Sequence, residues 1–266
     1  MLLAKKPQKA MDDIQKLHLI GETAITPKSS VYRAIMRNFP NALWNYPLYM
    51  FLFKHGKVDK DKSEISLDKA TQTEFEMLVE NTVRFCLTKC VAYNTLNSIK
   101  TSIYKACVAI AKGENYIQNY EVTVQDKEVL KAKILGNDIS RYQRCLVLLA
   151  AYLNRGQKEE GFLRLFDGKY DIEHILPKKG FNNFDGWTLE TYKVDLGKLG
   201  NLVPFTRELN ISAGNSFFEK KKVEYEKENN LQDIKDLLEL VKWTPVELEA
   251  RDKEIIERLK SFFAIV

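Results

Sequence analysis

Tyr170-Asp171-Ile172-Glu173-His174-Ile175-Leu176-Pro177 is a β-prone run closed by a proline, and it holds one of only three histidines in the chain. Further on, Leu199-Gly200-Asn201-Leu202-Val203-Pro204-Phe205 forms a second short apolar run flanked by Gly200 and Pro204, and residues 215–226 then turn helical. The expected order is two short strands followed by a helix. A carboxylate beside a histidine at a strand end puts an oxyanion ligand and an imidazole base on neighbouring positions of one rigid element. Alternation along a strand sends Glu173 and His174 to opposite faces. Both reach one site only if the backbone turns there, which Pro177 and the lysines after it allow.

Around this segment the chain reads as helical. Only 12 Gly and 7 Pro punctuate 266 residues, and Phe75, Leu78, Val79, Val83, Cys86, Leu87 and Cys90 make one apolar stripe on a helix expected over residues 67–93. Further helices are expected over 98–112, stopping at Gly113, and over 139–154, with short buried ones at 30–38 and 46–53. A loop is expected at 181–186. Thr244, Pro245 and Glu247 form a capping box that starts a terminal helix running towards Phe262. The expected architecture is mainly α, in three parts: a helical domain over 1–157, a small ββα module over 158–228, and C-terminal helices over 229–266 that pack on it.

A content of 45% hydrophobic and 29% charged residues excludes a fibre or a disordered tail. Cys86, Cys90, Cys107 and Cys145 fall in apolar helical patterns with no Cys-x-x-Cys pair, which argues against disulfides and a zinc knuckle and for a reducing, cytoplasmic setting. The longest apolar stretch, at 47–53, is too short to span a bilayer. The net charge of +5 is unevenly spread: residues 1–157 carry 23 basic and 15 acidic side chains, 158–228 carry 12 and 13, and 229–266 carry 6 and 8. The helical part is therefore the expected source of non-specific phosphate contacts. His18 and His55 lie among Leu, Phe and Lys without a second ligand and are given no role.

On these motifs the chain resembles the HNH nuclease family, whose ββα-metal fold reads (Asp/Glu)-His-Ile-x-Pro on the first strand, Asn on the second, and Asn or His on the helix. Glu173-His174-Ile175-Leu176-Pro177 is similar to that segment in the HNH domain of CRISPR effector nucleases, as is the nine-residue step from Asn201 to Asn210. The closer resemblance is to the C-terminal nuclease domain of GmrSD-type modification-dependent restriction enzymes. Its Glu-His-Ile-x-Pro, Leu-Gly-Asn-Leu, Asn-rich turn and Phe-x-x-Lys-Lys correspond to 173–177, 199–202, Asn210 with Asn215, and 217–221. The 27 residues from His174 to Asn201 exceed the compact HNH spacing and imply an inserted helix around 188–194.

The resemblance implies a metal-dependent endonuclease. His174 would be the general base, and Glu173 with Asn210 would hold one divalent cation, Mg²⁺ or Mn²⁺. Asn201 would tie the loop between the strands and so orient His174, and Lys220 or Lys221 would lie near the phosphate. Asp171 is a further candidate ligand, set against the plainer reading of a salt-bridged surface carboxylate. The lysine run 220–222 has its own plain reading as the solvated face of a helix. The implied partners are DNA, modified phage DNA included, and a nucleotide-hydrolysing domain on the same chain or a separate one, since no Gly-x-x-x-x-Gly-Lys-(Ser/Thr) loop is present. The chain is thus expected to be either a separate nuclease subunit or the C-terminal half of a longer protein. The competing reading is a catalytically silent helical module that binds DNA or protein on an HNH scaffold, and an RNA substrate is a third.

Overall fold

The computed structural model describes residues 7–59, 61, 63–179 and 186–265, so the expected loop at 181–186 lies outside the described residues except for Gly186. The chain divides into two compact units at Thr123 and Val124, with Asn38–Pro40 grouped with the second. The boundary expected at 157 is therefore corrected: helices of 124–157 group with the strand-bearing segment. Charge repartitions accordingly, with 17 basic and 12 acidic side chains up to Thr123 and 24 of each from Val124 on.

The first unit holds α1 (Pro7–Glu22), α2 (Pro27–Met36), α3 (Asn45–His55), an antiparallel hairpin of β1 (Lys57–Asp59) and β2 (Glu64–Ser66), α4 (Lys69–Tyr93) and α5 (Asn97–Lys112). Asp68 caps α4, which accounts for its start two residues after the expected one. Its apolar stripe, Cys86 and Cys90 included, is buried, and none of the four cysteines forms a disulfide among the described residues. Gly113 ends α5 in the left-handed region at φ 81°.

The second unit begins with α6 (Val124–Leu135), α7 (Gln143–Tyr152) and α8 (Glu159–Leu163). Every residue of α7 from Cys145 to Ala151 is buried, so this helix is the unit's central core element. Then come β3 (Tyr170–His174), α9 (Leu189–Asp195), a 3₁₀ turn (Leu199–Asn201), β4 (Leu202–Thr206), α10 (Arg207–Ala213), α11 (Phe218–Tyr225), α12 (Gln232–Glu239) and α13 (Pro245–Phe263). Helix α9 is the expected insertion, with Thr188 as its cap, and α13 opens on the expected box of Thr244 and Glu247. Helix α10 carries Asn210, as the HNH resemblance implies and unlike the Asn-rich turn of the second resemblance, and it is separate from the helix expected over 215–226.

Strands β3 and β4 pair antiparallel, with His174 opposite Leu202, Glu173 opposite Val203 and Ile172 opposite Pro204. Each strand of a two-stranded sheet has a free edge, so Pro204 is tolerated. Helix α10 lies against both strands. The described residues are mainly helical with two small sheets, and no described helix is long and apolar enough to cross a membrane.

Candidate functional site

His174 is the last residue of β3 and is half-buried. Burial, reinforced by the positive charges of Lys178 and Lys221, pushes its pKa down to about 4. The backbone of Ile172 acts the other way, favouring the charged ring, and is outweighed. The imidazole is therefore neutral above mildly acidic pH, and a neutral imidazole keeps a lone pair on one ring nitrogen.

The chain just beyond His174 is held from three directions. The Asn201 carbonyl accepts Ile175 N–H at 3.0 Å. The buried Asn201 amide accepts Leu176 N–H at 2.6 Å and donates to the carbonyls of Leu176 (3.2 Å) and Leu196 (3.1 Å). The Tyr192 hydroxyl of α9 donates to the Pro177 carbonyl. Asn201 is in turn placed from α13. Asp252 accepts Gly200 N–H at 2.6 Å, and Arg251 donates to the carbonyls of Gly200 (2.6 Å) and Leu202 (3.1 Å). Arg251 is itself anchored on buried Asp233, 2.8 Å away, which Arg258 and Asn154 also engage.

Glu173 points the other way, into the core, and is 4% exposed. Its Oε1 lies 2.5 Å from Lys221 Nζ and accepts from the Tyr225 hydroxyl at 3.1 Å, both on α11. Burial raises the Glu173 carboxyl and lowers the Lys221 ammonium, and the attraction between the two opposes both changes. The lysine run expected as one solvated face is thus divided. Lys220 is exposed, Lys222 is half-buried, and Lys221 has no exposed surface, which excludes it from direct contact with a DNA phosphate.

Asp171 is gripped by both arms of Arg207, each at 2.9 Å, in a pair open to solvent. The Arg207 fork holds its carboxyl below the usual range, with smaller help from the charge of Arg144 and from the nearby Asn210 amide. The plainer expectation for Asp171, a salt-bridged surface carboxylate, is the one seen.

Oxygen donors of the kind that Mg²⁺ and Mn²⁺ prefer are present in Asp171, Glu173 and Asn210. They do not assemble. Among the described residues no three His, Cys, Asp or Glu side chains are grouped to hold an ion. Glu173 already neutralises a buried ammonium, and Asp171 is held by Arg207. As arranged, these residues do not fit a cation shared by Glu173 and Asn210.

The sequence put Lys221 near the phosphate and not in the core, and gave no role to Tyr225, Arg207 or the pair Arg251 and Asp252. A signal for the first existed: Phe218, Lys221 and Tyr225 recur at i, i+3, i+7, which places Lys221 on the apolar stripe of α11.

The family model described as GmrSD restriction endonucleases, C-terminal domain, matches residues 124–258. The match opens at Val124, the residue where the second compact unit opens, and takes in β3, β4 and the helices that place His174. No curated protein and no solved structure matches the chain. With half of its length covered, and with the hairpin, Asn201 and α11 inside the matched span, the chain belongs to the family of GmrSD restriction endonuclease C-terminal domains.

Proposed function

We propose that the second unit is a DNA endonuclease module of the HNH type, the cutting part of a GmrSD-like restriction system that acts on modified phage DNA. The observation that carries this reading is His174: a half-buried imidazole at a strand end, held neutral by burial, with the backbone just beyond it gripped by Asn201. In that role a ring nitrogen takes a proton from water as the water's oxygen bonds to phosphorus, the bond to the leaving sugar oxygen breaks on the far side, that oxygen takes a proton from solvent, and the imidazolium returns its own to solvent. Asn201 keeps the strand end in place. Lys220, exposed on α11, offers a charge for the DNA backbone. The positive excess of the first unit is suited to non-specific phosphate contacts.

Mg²⁺ or Mn²⁺ belongs to the proposal as a component of the reaction, and neither Glu173 nor Asp171 is assigned to hold it. The test is nicking of supercoiled plasmid and of modified phage DNA by the full chain in each cation, with RNA as competitor. Cleavage of DNA that His174→Ala abolishes without unfolding supports the reading. DNA binding with no cleavage in either cation, with any partner nucleotide hydrolase supplied, favours the silent module instead.

A further inference from the structure

We infer that Lys221 is a positioning residue for His174, and that its ammonium stands at Glu173 where the resemblance would put a metal ion. Nζ is 2.5 Å from Glu173 Oε1 and 2.5 Å from the His174 carbonyl oxygen, so one buried cation ties together the side chain of one residue and the backbone of the next. The Tyr225 hydroxyl closes the arrangement at 3.1 Å from the same carboxylate oxygen. A lysine on the apolar stripe of α11 is a poor choice for stability, since well-packed apolar residues commonly replace a buried ion pair without loss. The carbonyl bond gives the lysine a use that an apolar residue lacks. It fixes the backbone from which the imidazole hangs, at the point where β3 ends and alternation no longer constrains the chain.

This inference rests on His174 acting as the base, and the experiment separates the two. The full chain is labelled at histidine, where three residues, His18, His55 and His174, give three ring signals, with His174→Ala identifying the third. Two variants are compared: Lys221→Met and the double variant Glu173→Leu with Lys221→Met, in which an apolar pair replaces the ion pair. The double variant should fold with a Tm near that of the parent, shift only the His174 signal, and lower kcat for DNA at least tenfold with KM within about threefold. A folded double variant with an unmoved His174 signal and full kcat overturns the inference. Should the double variant not fold, Lys221→Gln is read by the same two measurements against the same criteria. If His174→Ala cuts like the parent, the nuclease reading fails, and the ring signal alone then decides whether Lys221 positions His174.

Discussion

The Asn201 side chain engages the Leu176 backbone on both of its peptide groups, accepting the Leu176 N–H at 2.6 Å and donating to the Leu176 carbonyl at 3.2 Å. Asn201 has no exposed surface, so truncation leaves buried polar groups of Leu176 and Leu196 with no water to turn to. Asn201→Ala is expected to cost about 2–4 kcal/mol, because each orphaned buried group costs roughly 1–3 kcal/mol. Urea unfolding measures this as a lower midpoint at unchanged slope, and a loss below about 1 kcal/mol would mean that the clasp is dispensable.

Gly200 is the next link. A Cβ there would lie 2.6–2.7 Å from the Cβ, Cα and N of Asp252 on α13, two of them backbone atoms that cannot swing aside. Gly200→Ala should therefore push α13 off the loop that carries Asn201 and cost at least about 2 kcal/mol, within the range of overpacked sites. The readout is again the urea midpoint, with a stability equal to the parent's as the contrary result.

The pH dependence follows from His174. Its native pKa of about 4 lies below the ordinary value near 6.5, so between those limits the unfolded chain binds more protons than the native one. The stability it contributes is complete above pH 6.5 and is lost as pH falls towards 4. Denaturation curves for the parent and His174→Gln between pH 7.5 and 4.5 should diverge, with the parent falling more steeply. Parallel curves would show that the ring is not held neutral.

Much of this arrangement was legible in the sequence because it is local. Strands β3 and β4, the insertion α9, the Thr244 box and the buried stripe of α4 all announce themselves through period, capping residues or spacing. What escaped depends on distant partners. Glu173 reads as a metal ligand until α11, 48 positions away, brings Lys221 against it, and Asp171 reads the same way until α10 brings Arg207. As a separate helix α10 was hidden, because Arg-Glu-Leu-Asn-Ile-Ser-Ala is short and carries polar residues suited to a turn. The unit boundary was missed for a related reason. Composition changes at Gly156, but the apolar faces of α6 and α7 are buried in the unit that follows.

The ion pair also bears on metal binding. With Glu173 neutralised by Lys221 and Asp171 by Arg207, the chain without DNA should bind Mg²⁺ or Mn²⁺ only weakly, with Kd above about 1 mM, a free energy no better than about −4 kcal/mol. Isothermal calorimetry of the full chain checks this. Micromolar binding that Glu173→Gln abolishes would show that the cation displaces the ammonium.

The role of His174 is tested most directly by the single-turnover rate of DNA cleavage by His174→Ala. General-base assistance contributes about 10²–10⁴-fold. The variant, folded and binding DNA as the parent does, should cut at least about 100-fold more slowly. A rate within twofold of the parent's would contradict the account.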